Sequence, residues 1–182
     1  MKVLKVDPQD AVMRERFLDF FVSSKSLPQV DIGSAKARRL QAESYLDYLK
    51  SSDIITSCSE NNEEPLIYLF FKKSKKAKSL YLRYFFANNV DTNFIISDRS
   101  KYKSLPNTRT GARGFFLCSL KAMEDFNCHT IIFEVRRKNK VRKFLSYIKF
   151  FCSFLTIKED KIKKIYSGKI KKEDIINELS KF

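Results

Sequence analysis

Few side chains in this chain are suited to nucleophilic or metal chemistry. His129 is its one histidine, and the four cysteines stand at positions 58, 118, 128 and 152. They form no C-x-x-C pair and three lie inside apolar runs, so they read as small buried hydrophobes. A zinc cluster, a Cys–His pair and a Ser–His–Asp triad each lack spacing or partners, and no metal is expected. One run differs. Arg109-Thr110-Gly111-Ala112-Arg113-Gly114 holds two of the four glycines and opens onto a helix-spaced stretch from Phe115 to Phe126. Small residues let backbone N–H groups close on phosphate oxygens, a helix start adds its positive dipole end, and Arg109 and Arg113 supply charge-assisted bonds. The same composition also serves a plain helix-entry turn, so the surrounding strands have to decide. No carboxylate presents itself as a general base. Glu134 sits within an apolar strand, and Glu60, Glu63 and Glu64 fall in a polar turn.

A phosphate-binding loop needs a sheet behind it, and the hydropathy pattern supplies one. Residues 1–6 alternate as a short strand, and Asp7-Pro8-Gln9-Asp10 provides a cap, a first-turn proline and an acid for a helix reaching about Val22. Ser34 caps a second helix whose Ala37, Leu40, Tyr45, Leu46 and Leu49 recur at helical intervals. Three strands follow, from Ile54 to Cys58, Leu66 to Lys72 and Ser79 to Ala87, with polar connections suited to an antiparallel meander. A polar insertion at about 88–108 precedes the Arg109 run, and loops of that length are commonly functional or mobile. Thr130 to Val135 reads as a strand buried on both faces, so strand, helix and strand make a parallel step. Asn139 is placed to cap a helix carrying Val141, Phe144, Leu145, Ile148, Phe151, Cys152 and Leu155. A last strand is expected at 155–157 or 164–166, and a short helix at about 173–181. The expectation is one domain over 1–182, a mixed-sheet α/β fold of order β-α-α-β-β-β-α-β-α-β.

That order, with Phe133-Glu134-Val135-Arg136-Arg137-Lys138-Asn139, the opening Val3 to Ala11 and the Arg109 to Gly114 run, resembles the Gcn5-related N-acetyltransferase (GNAT) superfamily. The resemblance implies an acyl-CoA N-acyltransferase fold. Its fourth and fifth strands splay, and the amide arm of acetyl-CoA, the acyl donor, lies between them. It implies that Arg109, Gly111, Ala112, Arg113, Gly114 and Phe115 hold the diphosphate and that Asn139 flanks the pantetheine. Backbone N–H groups at Phe86 and Ala87 would polarise the thioester carbonyl. The family often places a tyrosine acid seven residues after the Asn. That position is Ser146 here and Tyr147 comes one step later, a displacement of about 100° around a helix. Tyr147 therefore reads equally as an acid or as an amphipathic residue at a helix–sheet boundary. The run departs from the family pattern at Ala112, where a glycine is usual, and Arg142 replaces a small residue.

Charge bounds the partners. The net charge is +15, of which residues 1–91 carry +3 and residues 92–182 carry +12. Such a field draws anions, and it also fits a lysine-rich solvated surface. Arg99, Lys101 and Lys103 with Tyr102 and Phe94, and the lysines between 158 and 172, suit RNA or an acidic protein. With 43% apolar residues and no long apolar segment, a cytoplasmic protein without a transmembrane span is expected. The expected activity is transfer of an acetyl group to an amine, on a small molecule or on a macromolecule such as aminoacyl-tRNA or a protein. The alternative is a non-catalytic basic nucleic-acid-binding module on the same fold.

Overall fold

The alternating apolar stretches pair into one seven-stranded sheet. The computed structural model describes residues 1–23, 34–49, 53–59, 64–74, 78–87, 106–136, 156–160 and 165–182. Its strands are β1 (Lys2–Val6), β2 (Asp53–Ser59), β3 (Pro65–Lys73), β4 (Ser79–Ala87), β5 (Thr130–Arg136), β6 (Thr156–Asp160) and β7 (Ile165–Lys171). The described helices are α1 (Ala11–Ser23), α2 (Ala35–Asp47), α3 (Pro106–Asp125) and α4 (Lys172–Leu179). The strands lie in the order β1-β2-β3-β4-β5-β7-β6. Every neighbouring pair is antiparallel except β4 and β5, which are parallel because α3 crosses over between them.

Period-two alternation sorts the sheet's side chains onto two cores. On β3, Tyr68 and Phe70 join Phe17, Phe20, Phe21, Ala42 and Leu46 of α1 and α2. Ile67, Leu69 and Phe71 face the other way, onto Phe115, Phe116, Ala122 and Met123 of α3 and Ile175 of α4. β3 is thus buried on both sides, and aromatic rings dominate the α1/α2 side. Phe17 lies 5.0 Å from Tyr68 and 5.2 Å from Phe70, centroid to centroid. Each such pair adds about 0.5–1.5 kcal/mol beyond area burial.

Local chemistry sets the helix ends. Asp10 Oδ1 accepts from the N–H groups of Val12 at 2.9 Å and Met13 at 3.0 Å, so α1 starts at Ala11 rather than at Pro8. Asp7 instead closes its own turn, accepting from Gln9 N–H at 2.9 Å. Ser34 caps α2 as expected, accepting from Ala37 N–H at 3.1 Å. Asn127 takes φ 50° after α3, while the Cys128 N–H reaches Met123 O and the Asn127 N–H reaches Glu124 O, a complete Schellman stop. Arg39 on Glu15 at 2.8 Å and Arg14 on Asp47 at 3.0 Å tie α2 to α1.

Three elements differ from expectation. Both 156–160 and 165–171 are strands, paired as an antiparallel hairpin, where one strand was expected. Leu40 is 57% exposed, because it stands about 200° around α2 from Ala42, which occupies the core. The helix expected from Phe115 begins at Pro106. Proline at a first helical position loses no hydrogen bond, and the small residues that follow cost about 1 kcal/mol each at most without ending a helix. The expected helix after Asn139, and the insertion up to residue 105, lie outside the described residues.

Candidate functional site

The sheet opens in one place. β4 and β5 pair from Ser79 with Thr130 through Leu82 with Phe133, and the ladder stops there. β4 continues to Ala87 in register with β3, while β5 continues to Arg136 in register with β7. Between them lies a notch edged by residues 83–87 on one side and 134–136 on the other. Along an extended strand, alternate backbone groups point away from the existing partner. Both edges of the notch therefore present N–H and C=O groups in the middle of a sheet, where such groups ordinarily pair.

A bulge starts the opening. Across β3 and β4, Phe70 pairs with Tyr84 but Phe71 pairs with Leu82, leaving Arg83 as the extra residue. A bulge bends its strand and raises the local twist. It also resets the alternation. Leu80 and Leu82 face α3, and a regular strand would send Tyr84 after them. Instead Phe85 faces α3, 5.7 Å from the Phe115 ring, and Tyr84 and Phe86 join the α1/α2 aromatic core. The Tyr45 and Tyr84 rings meet at 4.6 Å. Burial raises the Tyr45 phenol's pKa above its ordinary value, against a hydrogen bond from Gln41 that lowers it.

α3 brings the Arg109 run to the mouth of the notch. A Cβ on Gly114 would lie 3.1 Å from Ile67 Cδ1 and 3.4 Å from Cys58 Sγ, so helix and sheet touch closely here. Ile67 is the cross-strand partner of Ala87, at the open end of β4. Gly114 thus has a packing role. Residues 109–114 form the first turns of α3 rather than a loop before it, so N–H groups from residue 109 onward belong to the helix ladder. The N–H groups ahead of the ladder lie on Asn107 and Thr108, about 9–11 Å along the axis from Gly114. Arg113 is exposed. Thr56 Oγ1 donates to Cys118 O at 3.3 Å beneath the helix, and burial, with Cys58 next to it, holds the Cys118 thiol well above its ordinary pKa.

The overall fold recurs in solved structures. An aminoglycoside 6'-acetyltransferase type Ii superposes with a TM-score of 0.56 at 8% identity, over 94% of this chain and 97% of that one. The chain has the GNAT fold. An aminoglycoside 6'-N-acetyltransferase complexed with coenzyme A gives a TM-score of 0.54 at 9% identity over 94% and 97% of the two chains. The Campylobacter jejuni N-acetyltransferase PseH gives 0.53 at 16% identity over 93% and 96%. No protein-family model matches the chain, and no curated protein matches its sequence.

On the GNAT fold the residues singled out from the sequence divide into three groups. Phe86 and Ala87 stand on the open edge of β4, with the Phe86 ring buried away from the notch. Arg109, Gly111, Ala112, Arg113, Gly114 and Phe115 share the N-terminal half of α3, with Phe115 buried against Phe85. Asn139, Ser146 and Tyr147 lie outside the described residues. Sequence reasoning missed Arg83. The aromatic run Tyr84-Phe85-Phe86 hid it, since each ring suits either face of a sheet buried on both sides. Among the described residues no cluster of His, Cys, Asp or Glu is arranged to hold a metal, and no helix is long and apolar enough to cross a membrane.

Proposed function

We propose that the chain is an N-acyltransferase that moves an acetyl group from acetyl-CoA to an amine. The observation that carries this reading is the notch between β4 and β5. The amide and carbonyl groups along its two edges, which β4 and β5 do not pair with each other beyond Leu82 and Phe133, suit a guest that is itself an amide chain, and the pantetheine arm is one. The likeness to a fold whose members include a coenzyme A complex supports the same guest.

Bound acetyl-CoA supplies an activated thioester. The protein's part is to align and polarise. N–H groups of β4 near Phe86 and Ala87 point alternately into the notch and act as preorganised donors to a carbonyl oxygen there. The exposed Arg113, with Arg109 and the free N–H groups at the start of α3, holds the diphosphate. Asn139 lies beside the arm, and Tyr147, or Ser146 through its hydroxyl, delivers the proton that the departing thiolate takes up. The acceptor is an amine in anionic surroundings, on an RNA-linked group or an acidic protein, met through the basic C-terminal half.

Calorimetric titration tests the reading. Saturable binding of CoA and acetyl-CoA is expected, with amine-dependent release of free thiol. No heat of binding at about 1 mM ligand would exclude it, since a Kd weaker than that is worth under about 4 kcal/mol.

One observation favours a second reading. Placement of the glycines inside α3 removes the loop that usually cradles a diphosphate, which suits a basic nucleic-acid-binding module that performs no catalysis. Steeply salt-dependent RNA binding that survives Arg109→Ala, with no CoA binding, is its signature.

A further inference from the structure

We propose that Arg83 and Asp53 form a strap that fixes which residue of β4 is extruded, and so sets how deeply the notch opens. They are positioning residues for the acyl-CoA arm, an assignment that rests on the function proposed above. Arg83 is the extra residue of the bulge, and the β4–β5 ladder ends at the residue before it. Its Nη1 lies 2.8 Å from Asp53 Oδ2. Asp53 belongs to β2, which is not a neighbour of β4, so the side chain spans β3 and ties three strands together. The Asp53 side chain is fully shielded while that of Arg83 is 31% exposed, so water reaches the pair from the guanidinium side only. The guanidinium also lies 5.8 Å from the Tyr84 ring, the first side chain after the bulge.

The physical need for a strap follows from the sequence around the bulge. Leu82, Tyr84, Phe85 and Phe86 are all large and apolar or amphipathic, and β3 offers apolar partners on both faces. Moving the extrusion by a residue would exchange the faces of the rings it passes while keeping them buried. Hydrophobic patterning therefore specifies the register weakly. Arginine is the one residue in this stretch whose charge cannot be seated in either core, and Asp53 supplies a carboxylate for it. The pair selects the extruded position by charge where apolar burial does not.

Residue-resolved amide exchange and CoA titration on the full chain test the strap together. In Arg83→Ala, exchange of residues 84–87 is expected to rise at least about tenfold, while that of residues 80–82 stays within about twofold of wild type. CoA affinity is expected to fall by about the same factor as the first effect. Arg83→Lys, which retains a cation, is expected to recover most of both. Equal rises on the two sides of the bulge, or no rise at residues 84–87, would overturn the strap. Absence of CoA binding in the wild-type protein sinks the acyltransferase reading instead, and exchange then still decides whether the pair fixes the bulge.

Discussion

At the level of single residues, two glycines have separate reasons to be glycine. Gly168 pairs with Phe133 across β5 and β7, and a Cβ there would sit 2.7 Å from Phe133 Cε1, inside the ring's contact distance. Phe133 is buried in the same core as Leu82, Ile131 and Met123, so the ring can yield only by disturbing that packing. Gly168→Ala is therefore expected to cost about 1–3 kcal/mol, read as a lower urea midpoint at constant slope. Combined with Phe133→Leu, the loss should be less than additive, because the smaller side chain makes room. Titration gives a second prediction at this scale. Burial raises the Cys118 thiol and the Tyr68 phenol above their ordinary values. In both, the folded state retains a proton that the unfolded chain releases, so stability is full below the unfolded pKa and declines as pH rises above it. Urea midpoints should begin to fall near about pH 8.5, as unfolded Cys118 ionises, and more steeply above about pH 10, as unfolded Tyr68 follows. Tyr68→Phe should flatten only the second decline. A midpoint constant to pH 11 would contradict the shielding of both groups.

At the level of elements, the sequence exposed what periodicity can carry and concealed what depends on one backbone irregularity. The meander, the two leading helices, the parallel step and the terminal helix follow from apolar spacing and caps such as Ser34, because burial on one or two faces leaves little choice of period. The bulge at Arg83 left no such trace, since rings on both sides of it are buried whichever way they turn. The start of α3 differs from expectation because glycine and asparagine suggest a loop. Pro106, well suited to a first helical position, was the available sign. The candidate site inherits this division. β4 spans the expected Ser79–Ala87, while residues 109–114, expected as a loop, are helical. Gly111→Ala distinguishes the two states. In a helix interior the substitution should raise stability by about 0.5–1 kcal/mol and leave CoA affinity nearly unchanged. If the free state instead presents residue 111 to a phosphate, the added methyl would weaken CoA binding. Across the bulge, Phe86→Ala should cost about 3–5 kcal/mol, since its ring meets those of Phe17, Phe21, Tyr45, Phe70 and Tyr84. Phe85→Ala should cost less, because that side chain is only partly buried.

For the whole molecule the decisive quantity is the uneven charge. A net +15, with +12 in residues 92–182, makes a field that, on the proposed function, a charged acceptor would cross before reaching the notch. Long-range attraction acts chiefly on association and fades as ions shorten the Debye length from about 10 Å at 0.1 M to about 3 Å at 1 M. The amine that reacts must arrive uncharged, but the body that carries it need not be. An acceptor whose surroundings are anionic is drawn in, whereas a polyamine is repelled by the same field. Their kcat/KM values should then move in opposite directions as salt rises from about 50 to 500 mM, falling for the anionic acceptor and rising for the polycation. Because acetyl-CoA is itself an anion, its association should weaken in both series, and saturating it isolates the acceptor's response. Parallel salt dependences under saturation would mean that the lysines of the C-terminal half serve as a solvated surface and do not guide the acceptor.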